Sequence, residues 1–156
     1  MNIYSLLDKS TILANLDVQS KKELLEKMIQ SLSDHVNEKQ LREIHTAVFE
    51  REEIMSTGVG KSLAIPHGKV KSIDENIASF AKLKTPIDYD SIDGEPVQMV
   101  FLLVGPESKH TIHIKLLSRI SRLMNSVSFR ELLNDCDTPE EIYEAFHQEE
   151  QRYFTT

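Results

Sequence analysis

The stretch from Val97 to Val104 constrains the fold more than any other part of the sequence. All of its residues except Gln98 are apolar, so both faces of a strand formed here are apolar. Such a strand is stable when other layers cover both faces of its sheet. The longest unbroken apolar run, Met99 to Val104, is far too short to cross a bilayer. The stretch therefore predicts a central strand in a sheet that lies between two layers.

Strands and helices alternate around this central strand. Apolar runs bounded by breaker residues predict further strands at 12–16, 63–65 and 77–83. Apolar residues at helical spacing, with capping signals, predict helices over 21–32, 37–51, 112–124, 129–133 and from 139 onward. Between them lie a glycine-rich loop at 57–60 and an irregular segment at 87–92. The pattern predicts a single α/β domain over residues 1–156, a mixed β-sheet flanked by helices on both sides.

Charge and cysteine content indicate the setting in which the chain works. The net charge is -7 and no basic cluster is present, which argues against nucleic acid or an anionic membrane surface as partner. The single cysteine, Cys136, cannot form an internal disulfide, as is typical of reducing compartments. Asp8, Lys9 and Asp17 interrupt the apolar residues near the N-terminus, so no signal-peptide core is present. We expect a soluble, cytoplasmic domain that does not insert into a membrane.

The sequence Gly60-Lys61-Ser62 resembles the end of a phosphate-binding P-loop, but the rest of the motif is absent. A P-loop needs a glycine five residues before the Gly-Lys pair, and that position is Met55. The dinucleotide pattern G-x-G-x-x-G fails as well, because Leu63 stands where its third glycine belongs. Nucleotide binding is therefore disfavoured, and no cofactor is predicted.

His67 is the best-placed candidate for chemistry. Pro66 before it restrains the backbone, and Gly68 after it leaves the approach open. A neutral imidazole is a good nucleophile near pH 7 and can carry a phosphoryl group as a covalent intermediate. The alternative is a loop histidine that only hydrogen-bonds the backbone. Arg51 precedes the glycine-rich loop, where its guanidinium could bind two phosphate oxygens or simply cap the end of its helix.

His110 and His113 lie three residues apart at the start of a predicted helix. This spacing puts both rings on one helical face, so a metal site that also uses His67 is one alternative, although no third ligand stands at motif spacing. His113 lies four residues before Leu117 and therefore belongs to the buried stripe, as a site residue or as an ordinary core histidine. His110 lies at the edge of the loop.

Residues 56–69, with the core Ala-Ile-Pro-His-Gly, closely resemble the active-site signature of EIIA domains of the phosphotransferase system, fructose/mannitol type (type 2). Residues 85–97, the apolar strand and residues 113–123 follow in the order typical of that family. The resemblance implies an α/β domain with a mixed sheet. It also implies that His67 accepts a phosphoryl group from the phosphohistidine of HPr and passes it to an EIIB acceptor in sugar uptake.

The same resemblance implies roles for two more residues. His113 matches the second histidine of the family, which contacts the phosphoryl group, and Arg51 matches an arginine near the active histidine. His110 has no firm counterpart. Three hypotheses follow: a sugar phosphocarrier with a phosphohistidine intermediate, a regulator of the nitrogen-related EIIA type that binds proteins according to phosphorylation state, and, more weakly, a histidine metal-binding domain.

Overall fold

The computed structural model describes residues 2–154, in which six strands and five α-helices alternate along the chain. The strands are β1 Ile12–Leu16, β2 Gly58–Gly60, β3 Leu63–Ala64, β4 His67–Val70, β5 Ile77–Ile87 and β6 Val97–Pro106. The helices are α1 Lys21–Gln30, α2 Glu38–Ile54, α3 His110–Asn125, α4 Val127–Asn134 and α5 Pro139–Phe154. Short 3-10 turns at Tyr4–Leu6 and Glu107–Lys109 complete the described elements.

All six strands belong to one mixed sheet, as predicted. Its order is β1-β5-β6-β3-β2, and β4 pairs with β6 beyond the end of β3. β6 runs antiparallel to β5 on one side and parallel to β3 and β4 on the other. β1 is parallel to β5, and β2 is antiparallel to β3. β6 is therefore the central strand that its apolar sequence predicted.

The sheet separates two hydrophobic cores, and β6 contributes to both. Phe101 and Leu103 belong to the core formed with α3, α4 and α5, whereas Leu102 and Val104 belong to the core formed with α1 and α2. Every residue from 97 to 104 except Gln98 is at most 3% exposed. Burying a side chain the size of phenylalanine stabilises the fold by about 2–3 kcal/mol, so this strand anchors both layers. Helices on both sides of the sheet confirm the predicted fold class.

The second helix shows how local signals set the position of the site. The helix starts where the sequence predicted, at residue 37, and Asn37 caps it: its side chain accepts from the N–H of Gln40 at 2.8 Å while Gln40 accepts from the N–H of Asn37 at 2.9 Å. The predicted end of this helix near Arg51 was wrong, since α2 continues one further turn to Ile54. Arg51 therefore lies inside the last turn of the helix.

The strand predicted at 63–65 ends before Pro66, but the sequence did not predict that pairing resumes directly after this proline in β4. Proline lacks a donor but keeps its carbonyl, and the carbonyl of Pro66 accepts from the N–H of Leu103 at 3.0 Å. His67 is thus the first residue of a strand and not a loop residue. Its backbone is held in the sheet, which gives its side chain a defined position.

Two predicted connections are also part of the sheet. The loop predicted at 57–60 contains β2, and the N–H of Ile65 donates to the carbonyl of Thr57 at 3.0 Å. Ile87, placed in an irregular segment by the sequence, ends β5 and pairs with Val97 after a register shift. In both places backbone pairing overrides a local composition that favours loops. Within residues 2–154, no helix has the length and apolarity needed to cross a membrane.

Candidate active site

Three elements bring the predicted site residues together in one pocket of about 540 Å³. His67 comes from the start of β4, His113 from the first turn of α3, and Arg51 from the last turn of α2. These residues are far apart in the sequence, and the parallel pairing of β4 with β6 places His67 beside the strand that leads into α3. The pocket therefore combines all three candidates.

Gly68 has a structural role that differs from the one its sequence position indicated. A Cβ at this position would lie 3.2 Å from the Cβ of Ala47 and 3.2 Å from the N of Val48, both in α2. The helix therefore packs directly against the backbone of β4 next to His67. Close packing of this kind needs glycine, and it holds the distance between α2, with its Arg51, and His67.

The ring of His67 is fixed in one tautomer. Its Nδ1 lies 2.9 Å from the carbonyl oxygen of Ile65. A carbonyl can only accept, so Nδ1 carries the proton and Nε2 carries the free lone pair. Nε2 can therefore act as a nucleophile, as phosphoryl transfer requires. The alternative of a histidine that hydrogen-bonds the backbone is therefore part of the same arrangement, because this bond prepares the other nitrogen.

The surroundings of His67 favour its neutral form. Burial lowers its pKa below the ordinary 6.5, and the nearby cations of Arg51 and Lys69 lower it further. The hydrogen bond with Ile65 and the charge of Glu52 act in the opposite direction and do not reverse the shift. The lone pair on Nε2 is consequently available at neutral pH, as a nucleophile requires.

His113 is a buried neighbour of His67. It is 2% exposed, and the centroid of its ring lies 5.8 Å from that of His67. Burial is the largest cause that lowers its pKa to about 4, and the charges of His67, Lys69 and His110 contribute to the same shift. Neither of its ring nitrogens has a hydrogen-bond partner among the described residues. A buried polar ring without partners is costly, so its environment calls for a physical explanation.

Arg51 caps its helix, which is one of the two interpretations that the sequence left open, and it also lies at the pocket. Its Nη1 donates to the carbonyl of Met55 at 2.9 Å and so caps the C-terminal end of α2. It also lines the pocket, and its charge lowers the pKa of His67. The bond to Met55 anchors the guanidinium at the pocket, where its remaining N–H groups can bind an anion.

Two further residues of the pocket were not assigned to the site by the sequence analysis. Lys69 and His110 line it, and the Nζ of Lys69 lies 2.6 Å from Nδ1 of His110. Side chains alternate between the two faces of a strand, so residues 67 and 69 of one strand share a face. This alternation was the signal that could have placed Lys69 beside His67. The signal for His110 was its spacing from His113. The pocket thus holds a second cation besides Arg51.

A buried network fixes the segment between α2 and β2. The carboxylate of Glu52 accepts from the N–H of Thr57 at 2.7 Å, from its hydroxyl at 2.5 Å and from the hydroxyl of Tyr89 at 3.2 Å. Lys21 of α1 forms an ion pair with it at 2.9 Å. Sequence reasoning missed this network, because its members are spread over residues 21–89 without a motif. It holds the end of α2, and with it Arg51, in place.

The metal hypothesis receives no support from the geometry. Across residues 2–154, no group of three or more His, Cys, Asp or Glu side chains is arranged to hold a metal ion. Of the three histidines considered, His110 is turned toward Lys69, whose ammonium would oppose a metal cation.

Fold and pocket together define a class of protein: an α/β domain that presents a neutral histidine beside an arginine and a second, buried histidine. Residues 5–149 match the family described as "Phosphoenolpyruvate-dependent sugar phosphotransferase system, EIIA 2". The chain therefore belongs to the EIIA type 2 family of the phosphotransferase system, as the resemblance of residues 56–69 indicated. Proteins of this family are phosphocarriers of the phosphotransferase class.

Individual relatives represent two branches of the family. The chain is 35% identical over 143 residues to a nitrogen regulatory protein of Bradyrhizobium diazoefficiens, covering 92% of this chain and 93% of that protein. It is 31% identical over 150 residues to the fructose-specific EIIABC component of Bacillus subtilis, covering 95% of this chain and 23% of that protein. The solved structure of the nitrogen regulatory protein IIA-Ntr from Neisseria meningitidis is similar with a TM-score of 0.84 and 30% identity, covering 92% of this chain and 98% of that one.

Proposed function

We propose that the chain is an EIIA phosphocarrier in which Nε2 of His67 accepts a phosphoryl group from the phosphohistidine of HPr and passes it to an acceptor protein. The observation that carries this proposal is the hydrogen bond of 2.9 Å between Nδ1 of His67 and the carbonyl oxygen of Ile65. It leaves the lone pair of Nε2 free in a pocket that also holds Arg51 and His113. We place this activity in the cytoplasm, with residues 1–156 acting as one EIIA domain.

The proposed reaction needs positioning more than acid–base help. The N–P bond of the donor breaks as Nε2 of His67 forms a new N–P bond, and the donor imidazole regains its lone pair. Charge develops on the three equatorial oxygens of the transferred group. The guanidinium of Arg51, which is held at the pocket by Met55, stabilises this charge, and His113, whose ring centroid lies 5.8 Å from that of His67, contacts the same group. The step requires no metal and no nucleotide in this site.

The acceptor separates two versions of the proposal. A sugar carrier passes its phosphoryl group to an EIIB domain, and the relative from Bacillus subtilis is named as a fused EIIABC component. A regulator instead binds target proteins according to the phosphorylation state of His67. The nitrogen regulatory relative matches this chain over nearly the full length of both proteins, which favours the regulator as a second candidate.

Labelling from phosphoenolpyruvate tests the shared step. The protein is incubated with radiolabelled phosphoenolpyruvate, enzyme I and HPr, and we expect an acid-labile phosphoryl group on His67. Omission of HPr should abolish labelling, and His67→Ala should abolish it as well. Equal labelling of wild type and His67→Ala would end the carrier proposal. The labelled protein is then mixed with EIIB domains; transfer to one of them supports sugar transport, and its absence with all of them supports the regulator.

A further inference from the structure

Three elements meet behind His113, on the side of its Nδ1 atom. Asn76 lies in the connection between β4 and β5, Gly105 lies in β6, and His113 lies in α3. The side-chain oxygen of Asn76 is buried and has no partner among the described residues, and the same is true of both ring nitrogens of His113. Unpaired buried polar atoms destabilise a fold, so a cluster of them calls for a physical explanation.

The backbone of Gly105 shows how closely Asn76 and His113 converge. A Cβ at this position would lie 2.3 Å from Oδ1 of Asn76 and 2.9 Å from Nδ1 of His113. Both atoms therefore occupy the space that a side chain would fill, and any residue larger than glycine would push them away. The missing side chain of Gly105 lets the amide of Asn76 and the imidazole of His113 approach the same point.

We propose that Asn76 is a positioning residue that fixes the tautomer of His113, with Oδ1 of Asn76 accepting the hydrogen bond of Nδ1–H. An amide oxygen can only accept, so this contact requires the proton on Nδ1 and leaves the lone pair on Nε2. In this contact Oδ1 of Asn76 and Nδ1 of His113, which both lack a partner among the described residues, satisfy each other. The role of this contact in catalysis rests on the proposed phosphoryl transfer. The contact between Asn76 and His113 itself does not depend on that function.

This arrangement explains why Nε2 of His113 has no partner before transfer. With an empty site, burial and the surrounding groups His67, Lys69 and His110 keep His113 neutral. When the phosphoryl dianion is bound to Nε2 of His67, its charge favours a proton on His113. Nε2 of His113 takes this proton from water and donates it in a hydrogen bond to a phosphoryl oxygen. An imidazolium needs two acceptors, and Asn76 supplies the second one.

The tautomer of His113 can be read directly by NMR of protein labelled with ¹⁵N in its histidines. We expect wild-type His113 to show the Nδ1–H form at neutral pH. Asn76→Leu removes the acceptor at similar volume and should shift His113 toward the Nε2–H form. Asn76→Asp keeps an oxygen acceptor and should retain the wild-type form. Asn15→Ala, which alters an exposed asparagine of β1, is the control and should change nothing.

The rate of His67 phosphorylation provides the second measurement. We expect Asn76→Leu to slow it about 10-fold, as loss of an orienting partner does at comparable sites, and Asn76→Asp to restore most of the rate. An Nε2–H tautomer in wild type would overturn the inference, as would unchanged His113 signals in Asn76→Leu. The wild-type tautomer decides the question even if the leucine variant does not fold. If wild type accepts no phosphoryl group, the proposed function fails while the tautomer still tests Asn76.

Discussion

The imidazole rings of His67 and His113 lie 5.8 Å apart between centroids, with an angle of 53° between their planes. They belong to different elements, since β4 carries His67 and α3 carries His113. The separation leaves room for a group bound to one ring to accept a hydrogen bond from the other. Burial lowers the pKa of both rings, so the pair is neutral before an anion arrives.

The pKa of His67 should respond to the removal of Arg51. Burial is the largest cause of the lowered pKa, and the cation of Arg51 adds to it, so Arg51→Ala should raise the pKa toward 6.5. The pH at which phosphorylation reaches half of its maximal rate should rise in parallel, because only the neutral ring is nucleophilic. Titration of the His67 ring by NMR between about pH 5 and 8 measures the first quantity, and initial rates measure the second.

A charge outside the pocket provides the control for this titration. Lys71→Ala removes an exposed lysine that does not line the pocket, and it should leave the pKa of His67 unchanged. If Arg51→Ala lowers the pKa, or if both variants shift it equally, the local electrostatic explanation is wrong.

His113 should make the folded protein sensitive to mild acid. Its pKa is about 4 in the folded state because the ring is buried, and 6.5 is its ordinary value. Between these values the unfolded chain binds more protons, so stability falls as the pH drops from about 6.5 to about 4. The loss from this group alone is at most about 3 kcal/mol. His113→Gln should reduce the difference between the free energies of unfolding at pH 7 and pH 4, as measured by urea denaturation at each pH.

His45→Gln is the control, because it removes an exposed histidine of α2 that does not line the pocket. It should keep the pH dependence of wild type. A His113→Gln protein whose stability still falls as steeply as that of wild type would show that His113 is not the group responsible.

The fold was predictable from the sequence where patterns are local and regular. The apolar stretch at 97–104 predicted the central strand because all of its residues except Gln98 are apolar, on both faces of the strand. The capping residue Asn37 predicted the start of α2 because capping depends on neighbours three residues apart. Strands that depend on pairing with distant residues were harder to predict. The strand β4 was missed because Pro66 suggested that sheet pairing ends there, whereas proline removes only one backbone donor.

The site residues were predictable from the sequence where the chemistry of a single side chain indicates a role. His67, His113 and Arg51 were each named from the sequence, and the structure brings them into one pocket. The contact of Lys69 with His110 was not predictable, because it joins β4 to α3 across residues distant in sequence. The convergence of Asn76 on His113 was missed for the same reason. Side-chain networks depend on tertiary packing, which leaves no periodic signal.

Arg51→Ala should also slow phosphoryl transfer while leaving the domain folded. The residue is half-buried and its hydrogen bond to Met55 caps a helix end, so the loss of stability should be about 1 kcal/mol. The loss of a positioned cation from the transition state should be on the order of 100-fold in rate. Arg51→Lys keeps the charge without the planar guanidinium, and its rate should fall between the rates of wild type and Arg51→Ala. The measurement is the initial rate of labelling, with circular dichroism to confirm the fold.

Arg42→Ala is the control on the same helix, because Arg42 is exposed and does not line the pocket. Its labelling rate should equal that of wild type. An unchanged rate in Arg51→Ala would mean that the arginine serves only to cap α2.

Glu52 should contribute more to stability than its exposed neighbour. It is 8% exposed and accepts from Thr57 and Tyr89 while paired with Lys21. Removing one member of such a buried group leaves the others unpaired, so Glu52→Ala should lower the free energy of unfolding by about 3–5 kcal/mol. Glu52→Gln keeps one acceptor and should cost less. Chemical denaturation measures both losses.

The same residue links stability to the chemistry of the pocket. The negative charge of Glu52 raises the pKa of His67, against the stronger effect of burial. Glu52→Gln should therefore lower that pKa further, in the direction opposite to Arg51→Ala, when the ring is titrated by NMR. Glu53→Gln removes an exposed charge from the next position of α2 and should leave stability within about 0.5 kcal/mol of wild type. Equal losses in the Glu52 and Glu53 variants would refute the idea that the buried network, rather than helix charge in general, holds this end of α2.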